Sequence, residues 1–437
     1  MTSSNSQYPN AIAIDAGSVI GDLEIKIGIL EYNDGYAYPQ FSNNGQIQIS
    51  VSNGRVDTGS CGILIPIDNI FKGGSKYQNY INIARAAMQY GANELKNGLN
   101  SSIVQTAINN AFSVCESNNA FLSGVSYIPN SFTELAYQPS NDVVFHGSFL
   151  VNDIGIGLVG NDLPLAVAQN VVIMGGITGD VMVGVGFDRA LMGDNPFLAN
   201  IYNPNDMNDA LYPSYCITAA VGGTGGRNQI YLGANPNDGD FNFQILGNNI
   251  HGNAYQNSSW QSPSGYIEWS NSNGISENSI CSLIVDTGIN PMLIKNIQDF
   301  PDPESVNSQF NLNVRMDDSS GSGKYILNYN IDVTGSGYAN LRSGTNDCVP
   351  VFKTNLSKTF YDSYSPNNEA IYRNDGTNDN SNSPTLIDVI FNSAPNDSNN
   401  NGRPFVNMGF NPLMNHDMIF DALNNSVGFG AYTPNSQ

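Results

Sequence analysis

Two short runs, 229 residues apart, constrain this chain more than any other feature. Residues 56–60 read Val-Asp-Thr-Gly-Ser and continue into Cys-Gly-Ile-Leu-Ile-Pro. Residues 284–289 read Ile-Val-Asp-Thr-Gly-Ile and continue into Asn-Pro-Met-Leu-Ile. Each is an apolar strand, a turn opened by Asp-Thr-Gly, and a second apolar strand. A single Asp-Thr-Gly is usually an ordinary Asp at the end of a strand. Two copies with the same flanks, one in each half of 437 residues, are hard to assign to accident. At about 100–200 residues per domain, the length suits two or three globular units or one large bilobed one.

Most of the remaining sequence is patterned as short strands. Val, Ile, Tyr and Phe alternate with polar residues in 22–30, 46–51, 143–151, 170–174, 229–233, 325–333 and 385–391, with Gly-, Pro- and Asn-rich turns between them. This predicts a large all-β protein. Between Tyr77 and Cys115 the period becomes helical: Ile103, Ala107, Ile108, Ala111 and Phe112 fall on one face, and Ser102 with Gln105 three residues on predicts a capping box. Two helices, 77–94 and 102–115, are expected as an insertion into the β framework. The stretch 374–403 reads as polar loop around one short strand.

Paired aspartates have a specific chemistry. Two carboxylates at about hydrogen-bonding distance cannot both ionise cheaply, so they hold one proton between them and titrate as a unit. One acts as base on a shared water while its protonated partner polarises a peptide carbonyl, and the roles exchange as the tetrahedral intermediate collapses. Asp57 and Asp286 are the candidates. Gly59 and Gly288 let the backbone turn tightly and bring an N–H to each carboxylate. The Thr58 and Thr287 hydroxyls can brace the opposite loop, and Ser60 can hydrogen-bond Asp57.

With these runs the chain resembles the pepsin-like aspartic peptidases, and other segments agree. Residues 179–201, GDVMVGVGFDRALMGDNPFLANI, are similar to that family's apolar-apolar-Gly strand, with Asn195-Pro196-Phe197 following. Residues 227–240 resemble the strand and turn that close the first lobe. Residues 405–430 resemble the family's ending, through Phe420-Asp421, Asn424-Asn425 and Val427-Gly428-Phe429. The hairpin sequence 134–154 lies where the family carries its flap and offers Tyr137 as the flap tyrosine. The resemblance implies an all-β, bilobed pepsin-like fold with a helical insertion in the N-terminal lobe. The lobes would be 1–240, with the insert at about 77–115, and 241–437. It also implies endopeptidase activity on extended polypeptides with apolar residues beside the scissile bond. Asp57 and Asp286 would share the nucleophilic water, and no metal or cofactor is implied. Since both Asp-Thr-Gly copies lie in one chain, a monomer is expected.

Three departures bear on activity. After the second Asp-Thr-Gly the family prefers Thr or Ser, whose hydroxyl bonds the carboxylate, and this chain has Ile289. A carboxylate that loses a hydrogen bond to its ionised form keeps its proton to higher pH, so an upward shift of any acid optimum is expected. The family's Trp seven residues after the first Asp is Leu64, which removes the bond from that Trp to the flap tyrosine. Pro139 and the long flap predict an altered cleft. These departures favour an alternative of another class: a catalytically inactive chain of the same fold that acts as a binding, inhibitory or structural protein. Retention of both aspartates opposes it.

Composition excludes other functions. Only 16 Lys and Arg stand against 38 Asp and Glu, a formal charge of -22, whereas nucleic acids and anionic membranes demand clustered bases. No apolar run reaches the roughly 18–20 residues that span a bilayer. About one residue in seven is Asn, which supplies polarity without charge. With so few bases, positive self-repulsion at low pH is limited, which suits a secreted, periplasmic or cell-surface setting better than the cytoplasm. The polar opening MTSSNSQYPNAIAIDAG lacks a basic segment followed by an apolar one, so a signal peptide is not expected in it. Five cysteines without CxxC and three dispersed histidines argue against a zinc site and allow one or two disulfides with pairing open. Ser-Gly-Ser-Gly-Lys at 320–324 falls short of a phosphate loop because Asp318 stands where the first Gly is required.

Overall fold

A computed structural model describes residues 8–247 apart from 17–22, 33–46, 138–141, 160–162, 178–180, 187–192, 199, 205 and 219–227. Beyond these it describes 262–270, 276–288, 292–295, 310–317, 325–333, 351–353, 387–390, 404–414 and 416–431. The described residues are mostly β-strand with two α-helices, as the alternating pattern predicts. The described strands form three sheets of ten, eight and six strands. The ten-stranded sheet uses residues 24–210 and the eight-stranded sheet residues 264–407.

The two larger sheets contain the same five-strand order around Asp-Thr-Gly. In the first, the strand Ile47–Asp57 leads into the turn and Cys61–Pro66 leads out. Val181–Val185 lies between them, parallel to the first and antiparallel to the second. Leu163–Gly176 continues beside Cys61–Pro66 in parallel, and Glu24–Tyr32 flanks Ile47–Asp57 antiparallel. In the second sheet Ser276–Ile284 leads in and Met292–Lys295 leads out. Phe405–Asn407 lies between them, again parallel to one and antiparallel to the other. Ile387–Ile390 and Ser264–Ser270 take the two outer places with the same senses. Parallel neighbours cannot be joined by a tight hairpin, so each crossing strand comes from far along the chain. Cys61–Pro66 and Phe405–Asn407 are almost wholly buried, which explains their nearly unbroken apolar sequences.

The six-stranded sheet draws on both ends of the chain. Its order is Ile12–Asp15, Gln229–Leu232, Ser214–Thr218, His416–Asp421, Ser426–Ala431 and Phe241–Ile245, antiparallel throughout. The pairing of Ser214–Thr218 with His416–Asp421 ties the first half to the last strands. One apolar cluster runs through all three sheets and includes Ile27, Phe149, Tyr215, Phe420, Leu283 and Val314. Within the shared sheet, Asp417 is 2% exposed, and its Oδ1 has no hydrogen-bond partner among the described residues. Burial pushes its carboxyl up to about 7.

The helical insertion comprises α1 (Gln78–Lys96) and α2 (Ser101–Ser117). Its buried stripe in α2 is Val104, Ile108, Phe112 and Cys115, whereas Ile103 is 52% exposed. The inward face is therefore rotated one residue from the sequence expectation. Phe112 anchors the pair, edge-on to Phe149 at 5.4 Å and against Tyr127 at 4.3 Å between ring centroids. The expected capping box is not formed. Asn100 caps α2 by accepting the Ser102 N–H at 2.9 Å. The Gln105 side chain instead clasps the Phe132 backbone, accepting its N–H at 3.2 Å and donating to its carbonyl. Cys61, Cys115, Cys216 and Cys281 are buried thiols, and no disulfide occurs among the described residues. Cys348 lies outside them. No described helix is long and apolar enough to cross a membrane.

Candidate functional site

The two Asp-Thr-Gly turns meet. Asp57 ends its strand with 3% exposure, and Asp286 follows its own at 5%. Their threonines exchange four hydrogen bonds in two matched pairs. Thr58 N–H donates to Thr287 Oγ1 at 3.1 Å, and Thr287 N–H donates to Thr58 Oγ1 at 3.1 Å. The Thr58 hydroxyl donates to Val285 O at 2.8 Å, and the Thr287 hydroxyl to Val56 O at 2.6 Å. Each hydroxyl donates one bond and accepts another, and both threonines are buried, where such bonds are strong and expensive to leave unmade.

The glycines serve in two ways. Gly59 N–H donates to Asp57 Oδ1 at 2.7 Å and Gly288 N–H to Asp286 Oδ1 at 3.0 Å, each within its own turn. Each also lies over the opposite carboxyl group. A Cβ at Gly59 would overlap the Asp286 carboxyl, and one at Gly288 would stand 2.8 Å from Asp57 Oδ1. The sequence pointed to turning and N–H donation; the close approach of the other half's carboxylate is the additional demand for glycine. Each carboxyl group therefore lies against the glycine of the other turn.

The other oxygen of each aspartate is held differently in the two halves. Asp57 Oδ2 accepts from the Ser60 hydroxyl in the same turn. Asp286 Oδ2 accepts from the side-chain amide of Asn407 at 2.5 Å, a residue 121 positions away on the crossing strand. Asn407 was missed in the sequence, although it is the one polar residue in Phe-Val-Asn-Met-Gly-Phe at 405–410. Asp286 therefore has a side-chain donor even though Ile289 brings no hydroxyl. Ile289 itself lies outside the described residues.

Behind Asp57, two side chains fasten the end of the crossing strand. Tyr215 O–H and Asn195 Nδ2 both donate to Val185 O, the latter at 2.6 Å. Burial, then the neighbouring Cys61 and Asp57, hold the Tyr215 phenol far above its ordinary range. Arg55, exposed two residues before Asp57, donates from Nη1 to Gly288 O at 3.4 Å.

The hairpin at the expected flap position is formed by Thr133–Tyr137 and the start of Asp142–Val159, with Tyr137 opposite Asp142. The Tyr137 side chain lies outside the described residues, as does Pro139. Leu64 is buried with Met174, and Leu135 and Val144 of the hairpin pack on that pair. The hairpin is thus seated on an apolar contact with Leu64 and Met174. Among the described residues, no group of three or more His, Cys, Asp or Glu could hold a metal ion.

Compared with known proteins, the sequence matches no family model and no curated protein sequence. The chemistry of the site must therefore be argued from its geometry: two buried carboxyl groups, each lying against the other half's glycine, on turns locked to one another.

Proposed function

We propose that the chain is an aspartic endopeptidase of pepsin-like, bilobed architecture. Asp57 and Asp286 would activate a shared water against a peptide carbonyl. The observation that carries this reading is the reciprocal bonding of Thr58 and Thr287, with each turn's glycine lying over the other turn's carboxyl group. Such an arrangement makes two acids share one environment, so that one serves as base while the other serves as acid. The repeated five-strand order supports the two-lobed part of the reading, and the hairpin on Leu64 and Met174 supports a flap. An extended polypeptide is the substrate, and the chain acts as a monomer. The scarcity of bases supports a secreted, periplasmic or surface setting in mild acid.

The test is cleavage of denatured protein between pH 3 and 7, with and without pepstatin. Wild type should cleave, pepstatin should stop it, and Asp57→Asn or Asp286→Asn should each lower the rate roughly a thousandfold, the scale of lost acid–base catalysis. Cleavage by Asp57→Asn at the wild-type rate would end the reading. Absence of cleavage by the wild type at every pH would favour a binding or inhibitory protein.

A further inference from the structure

The donors on the two aspartates differ in what they tolerate. A hydroxyl can donate to a carboxylate or rotate to accept from a carboxylic acid, whereas an amide nitrogen only donates. Ser60 Oγ therefore suits Asp57 in either protonation state. Asn407 Nδ2 favours an ionised Asp286, whereas the Gly59 and Gly288 N–H groups act alike on the two Oδ1 atoms and leave the side-chain donors as the difference. The amide cannot be turned round. Asn407 Oδ1 accepts the Gly409 N–H at 3.0 Å, so the NH2 group must face the carboxylate. Asn407 is 1% exposed, so water cannot take over either bond cheaply.

We propose, resting on the aspartic-peptidase reading of this site, that Asn407 is a positioning residue that assigns the roles within the pair: Asp286 is the ionised base and Asp57 carries the shared proton. In the first step Asp286 takes a proton from the water as the water oxygen bonds to the carbonyl carbon. The carbonyl π pair moves to oxygen and receives the proton of Asp57. The products are a neutral gem-diol, protonated Asp286 and ionised Asp57, so atoms and charge balance. Arg55 Nη1 donates to Gly288 O, in the turn that lies over the Asp57 carboxyl group, so its charge does not single out either aspartate. On the Asp57 side are the Cys61 thiol and the un-ionised Tyr215 phenol, and neither adds a positive charge there. Ile289 leaves the second turn without the hydroxyl that Ser60 gives the first, so the amide is the side-chain donor in its place.

The experiment uses the whole chain labelled with carbon-13 at the Asp carboxyls. The two signals are assigned as those lost in Asp57→Asn and Asp286→Asn, and are then titrated by NMR. In the wild type, the Asp286 signal should ionise at lower pH than that of Asp57. In Asn407→Leu it should move up by about one pH unit or more, tenfold in proton affinity, and the acidic limb of kcat/KM should move with it. Adding Ile289→Thr to Asn407→Leu should move both part of the way back. A purely structural role for Asn407 would lower activity without moving either titration. Ionisation of Asp57 before Asp286 in the wild type, or an unmoved Asp286 signal in folded Asn407→Leu, would overturn the proposal. The wild-type order needs no change at 407, so a misfolded variant does not remove the test. If the wild type cleaves nothing, the peptidase reading falls, while the NMR order still decides the roles of the two carboxyls.

Discussion

In the first half, the strand crossing between the flanks of Asp-Thr-Gly is Val181–Val185, five residues paired along Gly54–Asp57. In the second half it is Phe405–Asn407, three residues paired along Ser282–Ile284. Register makes Met182 and Asn407 equivalent, since each stands opposite the residue two before its Asp. Met182 packs against Leu64 and Met174 beneath the hairpin, whereas Asn407 reaches the carboxylate. The side-chain donor thus sits in the turn in one half, as Ser60, and on the crossing strand in the other. Strand length, donor identity and donor origin all vary between the halves. The strand order, the threonine exchange and the glycines do not. What the geometry constrains is the meeting of the two turns, and each half supports its turn by its own means.

The largest expected effect lies where the comparison ends, in the sheet that both halves share. Asp417 is held up to about 7 by burial, so the folded state keeps a proton there that the unfolded chain releases near pH 4. Its contribution favours folding below pH 4 and is lost as pH rises to 7, by roughly 4 kcal/mol at most. His146 and His416, pushed down to about 4 by burial, act in the opposite sense and lose stability as pH falls from 6.5. Asp417→Asn should therefore gain stability over wild type far more at pH 7 than at pH 4 in urea unfolding. An equal difference at both pH values would show that the carboxyl does not titrate in this window.

Next come the glycines, which should break the symmetry. Gly59→Ala places a methyl group into the Asp286 carboxyl, while Gly288→Ala meets Asp57 at 2.8 Å. Overpacking of this kind costs about 1–3 kcal/mol, with Gly59→Ala at the upper end. Thermal unfolding midpoints in the reverse order would contradict the asymmetry. The threonines should preserve symmetry. Thr58→Val and Thr287→Val each strip one donated bond and leave a buried N–H without its acceptor, about 1–2 kcal/mol apiece. The two losses should be equal within error, and because the two substitutions strip different bonds, any departure of the double variant from their sum measures coupling between the turns. The smallest change belongs to Arg55→Gln, whose single long bond is exposed. Stability should move by about 0.5 kcal/mol or less.

Much of this was legible in the sequence, for identifiable reasons. The paired turns were visible because Asp-Thr-Gly between apolar runs, common as a single copy, occurs twice. The strands in 22–30, 46–51, 143–151, 170–174, 229–233, 325–333 and 385–391 all appear, with shifted ends. The helices appear as well, but a stripe read from Ile103 competes with one read from Val104, and only packing against Phe149 and Tyr127 selects the second. Gln105 fits a capping box locally and is drawn away by the Phe132 backbone, a tertiary contact no local rule contains. The crossing strands pair in parallel at long range, which leaves no trace in hydrophobic period. Asn407 was hidden by composition: where one residue in about seven is Asn, a single Asn draws no notice unless its apolar neighbours are weighed.

The amide that completes Asp286 follows it by 121 residues, and this sets an order of events during synthesis. Both aspartates leave the ribosome well before Asn407 does. The strands His416–Asp421 and Ser426–Ala431, two of the six in the shared sheet, emerge later still. A chain ending at residue 404 would contain both Asp-Thr-Gly turns in full and yet lack the donor, the crossing strand and the seam. Such a truncation should fail to be retained on immobilised pepstatin under conditions where the full chain is held. A copy broken before residue 405 thus keeps both turns and loses the amide that holds Asp286.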